Sequence, residues 1–443
     1  MPHKQMALIG FVQAQNCSNY VGSWRHPQAR QDFLSADYYQ HIARTLERGL
    51  FDGIFIADVT GIYDVYGDSP ETALRAATQV PTNDPFTLVP AMAAVTEHLS
   101  FGVTASIPYL HPYSFARLIS SLDHLTDGRI GWNVVTGYLN SAAKGAGQAQ
   151  QTEHDTRYDI AHEFMEVVYK LWEGSWEDDA VVRDAANAVY TDPAKVHRVT
   201  HDGTYFSLDA IHLCEPSPQR SPVIYQAGTS PKGQAFAGTH AECVFVGNHS
   251  KKTVASYVES LRGIAAAQGR SPDDLKIFAL LAVVPGETDA EAAAKFADYQ
   301  SYGIREGGLA LISGWTGLDM AGFDTHAYIE HHESEGIRAM ASSLCARSVD
   351  EWADYLIVGG AAPVIVGSPK TIADEMEAWM DETGIDGFNL AYTVMPECMT
   401  EFVDLIVPEL QRRGRYKTAY TPGAMREKLF GAGPRLKPSH PGT

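Results

Sequence analysis

Apolar residues recur at helical spacing in some stretches of this chain and run almost unbroken in others, and the two patterns alternate. Phe115, Leu118, Ile119, Leu122 and Leu125 predict one face of a helix that stops at Asp127-Gly128. Arg129 to Val135 then reads as a buried strand, with Asn133, Thr136 and Tyr138 at or just past its C-terminal end. Upstream, Met6–Val12 and Phe51–Ala57 predict strands, the second running into Asp58. Ser35 is placed to cap a helix whose Tyr39, Ile42, Ala43 and Leu46 share a face. A helix around Thr87 to His98 leads to a strand over Leu99–Ala105. Downstream come a helix over Arg157–Trp172, a strand in PVIYQAG, a helix in GQAFAGTHA and a strand in CVFVG. Helices over Thr253–Gln268 and Asp289–Gln300 flank the strand IFALLAVV, and GIDGFNLAY and Met399–Gln411 give the last strand and helix.

Strands alternating with helices through short connections predict a parallel sheet with helices outside it. About eight such units fit, so the expected architecture is one closed α/β (β/α)8 barrel over residues 1–443. Two segments break the rhythm as insertions: 173–221, polar and hairpin-like, and 301–369, with extra helices. Insertions of this size serve as lids or oligomer contacts. Residues 432–443 read as a flexible tail.

Composition narrows the function. The chain has 443 residues, 45% hydrophobic and 20% charged, with a net charge of −20 and no basic stripe, which argues against nucleic acid as partner. No apolar run approaches the ~20 residues that span a bilayer, and the N-terminus lacks the regions of a signal peptide. The five cysteines (Cys17, Cys214, Cys243, Cys345, Cys398) are odd in number and never spaced as CxxC, so the expectation is reduced thiols in a cytoplasmic protein. GAGQAQ at Gly145–Gln150 lacks the last glycine and the strand context of a dinucleotide fingerprint. Glu330-His331-His332-Glu333 looks metal-like, yet adjacent residues share no helical face, and no metal is expected.

Chemistry concentrates at predicted strand ends and helix starts. In PVIYQAGTSPKGQAFA a strand runs into Gly228-Thr229-Ser230 and then Pro231 at a first helical position. Ser230 can cap that helix, and the small-residue loop either binds a phosphate or is simply a well-capped helix. In HDTRYDIAHEF, Asp155 is placed to cap, with His154 beside it and Arg157 and Tyr158 in the first turn. Those groups suit a phosphate or a surface ion-pair network. Asp58, Thr104 and Ser106 end strands and either meet a ligand or cap the following turn. Cys17 follows the first strand, facing a pocket or filling the core as a small hydrophobe.

SSLDHLTDGRIGWNVVT closely resembles the signature of the nitrilotriacetate, pristinamycin and dibenzothiophene-sulfone monooxygenase group of bacterial-luciferase-like flavin enzymes. The resemblance continues through HDTRYDIAHEFMEVVYKLWEGSWEDDAV, YTDPAKVH, CEPSPQRSPVIYQAGTSPKGQAFAGTHAECVF and GSPKTIADEM, nearly the whole chain. FIADVTGIYDVYGDSPETA and QVPTNDP look like the long-chain alkane and dimethyl-sulfide branch. The resemblance implies a luciferase-like TIM barrel that uses reduced FMN from a separate NAD(P)H:flavin reductase, with O2 as co-substrate. It places Asp58, Thr104 and Ser106 near the flavin ring or ribityl chain, and Asn133 at the reactive edge. Gly137, His154, Tyr158, Gly228 and Ser230 would hold ribityl and phosphate. Cys17, Tyr63 and Gln79 would meet the substrate, with Tyr138 nearby. The alkane-type branch carries histidine where this chain has Tyr138 and Leu311, which leaves a more apolar pocket. Tyr138 can still donate a hydrogen bond on the flavin side but is a poor base near pH 7.

The implied activity is an FMNH2-dependent monooxygenase acting on a small, mostly apolar organic compound: organosulfur, alkane or heteroaromatic. A homodimer or homotetramer is the expected assembly. Three other readings stand beside it: a deazaflavin-dependent dehydrogenase on the same barrel, a non-catalytic flavin-binding relative, and a hydrolase using Asp58 and Glu153. The signature GRIGWNVVT speaks against the first, and no spacing supports the last.

Overall fold

The strand β1 (Ala7–Gln13) pairs with a parallel neighbour on each side, and every strand of the barrel runs parallel to its neighbours. The computed structural model describes residues 4–15, 19–247, 250–328, 347–360 and 362–443. The remaining strands are β2 (Gly53–Ala57), β3 (Ser100–Ser106), β4 (Ile130–Val135), β5 (Val181–Asp184), β6 (Val189–Thr191), β7 (Val199–Asp202), β8 (Ser207–Ala210), β9 (Val223–Gln226), β10 (Cys243–Val246), β11 (Lys276–Pro285), β12 (Val364–Gly367) and β13 (Gly387–Ala391). The ring runs β1-β2-β3-β4-β9-β10-β11-β13 and closes where β13 pairs again with β1, in register Ala7 with Gly387. It is the closed eight-stranded parallel barrel the alternation predicts.

The helices between the strands are α1 (Ala36–Arg48), α2 (Glu71–Ala76), α3 (Leu88–Ala93), α4 (Pro112–Leu125), α5 (Asn140–Gly145), α6 (His154–Gly174), α7 (Pro231–His240), α8 (Lys251–Ala267), α9 (Asp289–Tyr302) and α10 (Arg305–Thr316). Ser35 caps α1 as expected, accepting from the Tyr38 N–H. Inside the barrel an aromatic stack fills the lower layers: Phe55 lies 4.4 Å from Phe245, which stacks on Tyr225 at 5.2 Å. Outside it, Trp132 of β4 packs between α4 and α6, 4.5 Å from Phe115 and 5.8 Å from Phe164. The lower barrel is thus a packed core, and the free volume lies at the C-terminal ends of the strands.

The structure departs from the pattern at several points. Only Phe115, Ile119 and Leu122 of the α4 face are buried; Leu118 and Leu125 are 38% and 66% exposed. The helix expected to reach His98 ends at Ala93. The N–H groups of Glu97, His98 and Leu99 turn instead onto one carboxylate oxygen of Glu47. Asp155 does not cap α6, which starts after Glu153 with no side-chain cap; its carboxylate meets His154 Nδ1 at 2.7 Å. The last long helix is interrupted over Phe402–Ile406 by a π turn. Pro408 has no N–H to offer the carbonyl four residues back, so the ladder widens there.

Residues 173–221 hold two antiparallel hairpins, β5-β6 and β7-β8. The 301–369 segment contains α10 and the helix Val349–Tyr355, and also β12, a ninth parallel strand paired to the far end of β11. Glu330 to Glu333 and Cys345 lie outside the described residues.

The tail is the clearest correction. Leu436 and His440 are buried, Lys437 pairs with Asp274, and His440 Nε2 lies 2.9 Å from the His240 carbonyl. A flexible arm was the wrong expectation because the small and polar residues at 432–443 conceal an apolar and a histidine anchor.

Candidate active site

The free volume is a cavity of about 230 Å³ at the C-terminal mouth of the barrel. Asp58, which follows β2, reaches it together with Thr104 and Ser106 from β3, and Gly137 and Tyr138 follow β4. His154, Arg157 and Tyr158 come from the first turn of α6, and Gly228, Thr229 and Ser230 from the loop into α7. The two helix starts, separate in sequence, face one cavity. The eight residues expected to hold the ring end, ribityl chain and phosphate of a flavin line it; Asn133, expected at the reactive edge, does not.

The local geometry makes this an anion-ready surface. Ser230 accepts from the Gly233 N–H at 3.1 Å, holding the α7 start in capped form with Pro231 in the first turn. Gly228 is required there: a Cβ at that position would come within 2.8 Å of the Tyr158 hydroxyl and 3.0 Å of Gly233 Cα. The Arg157 guanidinium donates to the Gly137 carbonyl and ties the α6 start to the loop after β4. Gln226 Oε1 accepts from the Gly228 N–H at 2.6 Å, fixing the loop after β9 from inside.

Asp58 has a different environment. Its burial, with the Asp84 carboxylate nearby, pushes its pKa up to about 6. It can therefore hold or release a proton near neutral pH.

Asn133 lies beneath the cavity. Its Nδ2 donates to Thr104 Oγ1 at 3.1 Å, and its Oδ1 is buried without a protein partner. Tyr63 and Gln79 are not in the cavity wall but behind Tyr138, both buried. Tyr63 donates to Gln79 Oε1 at 3.0 Å and accepts from Trp315 Nε1 at 3.2 Å. Because the Tyr63 proton is used on Gln79, the 2.6 Å contact between the Tyr63 and Tyr138 hydroxyls takes its proton from Tyr138. Tyr138 is thus a donor into the protein rather than toward the cavity. Gln79 continues the chain to Asn19 Oδ1 at 2.8 Å. Burial lifts the Tyr63 and Tyr138 hydroxyls well above the ordinary tyrosine range, so neither ionises near neutral pH. Leu311 is fully buried in the apolar cluster that includes Tyr63, Leu139 and Trp315. Cys17 lies outside the described residues.

Sequence reasoning missed Gln226, Ala227, Thr60 and Phe236, which also line the cavity. Gln226 carried a usable signal, a polar residue at the C-terminal end of a buried strand. Phe236 carried none, since one apolar residue on a helix reads as core.

These residues fit a flavin mononucleotide: two helix starts, the second capped by Ser230, and hydroxyls for a phosphate, with strand-end polar groups for the ribityl chain and ring. Among the described residues no cluster of metal-ligating side chains is present, and no helix is long and apolar enough to cross a membrane.

Comparison with known proteins agrees. The chain is 49% identical to the dimethyl-sulfide monooxygenase of Hyphomicrobium sulfonivorans, covering 99% of this chain and 93% of the relative. It is 49% identical to the long-chain alkane monooxygenase of Geobacillus thermodenitrificans, over 94% and 93% of the two chains. Its fold superposes with a TM-score of 0.94 on the crystal structure of a riboflavin lyase with modified FMN and substrate riboflavin, at 36% identity over 99% of both chains. The model of the luciferase-like monooxygenases matches residues 16–387, and the chain belongs to that family.

Proposed function

We propose that this monooxygenase is the oxygenating half of a two-component system. It takes up FMN already reduced by a separate NAD(P)H:flavin reductase, uses O2, and oxygenates a small, mostly apolar organic substrate such as an organosulfur compound, an alkane or a heteroaromatic. It works in the cytoplasm as a homodimer or homotetramer. The observation that carries the reading is the convergence of two helix starts and four strand ends on one cavity. Reduced FMN supplies the activation of dioxygen.

The chain's own residues bind, orient and exclude water. Ser230, Gly228, His154, Tyr158 and Gly137 hold the phosphate and ribityl chain, while Thr104, Ser106 and Asp58 meet the ring end. Asn133 acts through the Thr104 hydroxyl it donates to. Asp58, with its carboxyl raised to about 6, is mostly ionised at neutral pH and is placed to take up a proton there. The wall of Val134, Val135, Leu139, Ala227 and Phe236 keeps the site dry, which protects reactive flavin chemistry from water.

Two measurements test this. Ser230→Ala and Tyr158→Phe should each weaken reduced-FMN binding by ~1.5–3 kcal/mol, the loss of a hydrogen bond to a charged group, read by anaerobic titration. Supplied with FMN, NADH, a flavin reductase and oxygen-18 gas, the protein should place label in an alkyl sulfide, alkane or heteroaromatic product. Unchanged affinity in both variants removes the phosphate site, and absence of FMN binding removes the whole reading.

A further inference from the structure

Helix α10 contributes no residue to the cavity wall, yet it holds the chain of contacts that ends there. Tyr138 is the wall residue on that side, and its hydroxyl donates to Tyr63 at 2.6 Å. Tyr63 is seated against α10: a Cβ built on Gly314 would overlap the edge of the Tyr63 ring at Cδ1 and come within 2.6 Å of Cε1, and the next residue, Trp315, donates its indole N–H to the Tyr63 hydroxyl at 3.2 Å. Gly307, two helical turns earlier, seats the same helix on α2 and Val21, where a Cβ would come within 2.7 Å of Ala76 Cβ and 2.5 Å of Val21 Cγ1. So the helix is pinned at both ends, and the position of Tyr138 is fixed from a segment roughly 180 residues away in sequence.

We propose that Gly314 and Trp315 are positioning residues for substrate specificity: through Tyr63 they set where the Tyr138 ring stands, and thereby the size of substrate the cavity admits beside the flavin. This rests on the oxygenase reading above. A packed interior transmits such a shift because it has no slack to absorb an added methyl group. Tyr63 has one route of escape from a side chain at 314, away from α10, and that movement breaks or redirects its bond to Tyr138. The flavin-phosphate surface on α6 and α7 lies on other elements and is untouched.

The test uses the full chain with reduced FMN and a homologous series of n-alkyl methyl sulfides, from dimethyl sulfide upward, scored by kcat/KM. Gly314→Ala should change the ratio of kcat/KM between short and long members at least tenfold while the reduced-FMN Kd stays within twofold. Trp315→Phe, which removes the indole N–H and part of the ring volume while leaving Gly314 in place, should also move the ratio, by a smaller factor. Tyr63→Leu should shift the profile too, and adding Gly314→Ala to it should change nothing further, because the ring that the methyl displaces is gone. An unchanged chain-length ratio in Gly314→Ala and Trp315→Phe, or shifts that multiply in the double variant, would overturn the proposal. A parent protein that binds no flavin would instead overturn the oxygenase reading, a result distinct from both.

Discussion

Asp58 shows what burial does to a single group. Its carboxyl, raised to about 6 by desolvation and by Asp84, binds a proton more tightly in the folded chain than in the unfolded one, where the ordinary value is 3.8. The sign follows from linkage: the contribution of Asp58 is fully present below pH ~4, is lost as pH rises toward 6, and is a full penalty above that. Asp58→Asn should therefore be near neutral at low pH and should stabilise the flavin-free protein by about 2 kcal/mol at pH 7.5. Urea unfolding of both proteins at pH 5 and pH 7.5 reads this directly. A variant whose advantage does not grow with pH would place Asp58 in contact with solvent or a cation. The same desolvation makes the group useful, since a carboxyl that exchanges its proton near neutrality is suited to acid–base work at a flavin.

Single elements are stabilised by contacts that periodicity does not record. Glu47 sits on α1, where sequence shows only a polar position in the last turns of an amphipathic helix. Its Oε1 collects the N–H groups of Glu97, His98 and Leu99 and so sets the turn into β3, the strand that carries Thr104 and Ser106. Glu47→Ala should cost ~2–3 kcal/mol in urea unfolding, because three backbone donors lose a charged acceptor, with Glu47→Gln intermediate. A loss within 0.5 kcal/mol, the usual range for surface changes, would mean that water replaces the carboxylate there. This contact also marks the limit of what the sequence disclosed. Strand ends, glycine stops and capped starts are local, so β4, the α7 cap at Ser230 and the polar groups at the barrel mouth were legible. The end of α3 depends on a residue some fifty positions upstream, and the place of Tyr63 and Gln79 behind Tyr138 depends on α10, far downstream. Neither separation leaves a periodic trace.

At the scale of the whole molecule the C-terminal segment closes the structure at the end of the barrel opposite the cavity. Arg426 forms a buried pair with Glu242, just ahead of β10, at 2.6 Å and also donates to the Ser221 and Pro222 carbonyls. Farther on, His440 packs under α7 against His240, whose Nε2 in turn lies 2.9 Å from His162 Nδ1. Burial pushes His440 down to about 4 and lowers His240 and His162 as well. For a histidine held neutral in the fold the linkage runs opposite to that of Asp58. Its contribution is complete above the ordinary value near 6.5 and is lost as pH falls through 6.5 toward 4, because the unfolded chain takes up the proton first. His440→Gln keeps an amide donor for the His240 carbonyl but cannot be protonated. Between pH 7 and pH 4 the parent should lose about 3 kcal/mol more unfolding free energy than this variant. With a net charge of −20, the acidic chain also loses paired carboxylates over the lower part of that window in both proteins, so the difference between the two profiles isolates the histidine. Parallel profiles would show that residues 432–443 do not fold with the barrel in solution. A divergence that begins near pH 6.5 would make the segment part of the cooperative unit that holds β9, β10 and the α7 start in place, and so tie the far end of the molecule to the flavin-facing one.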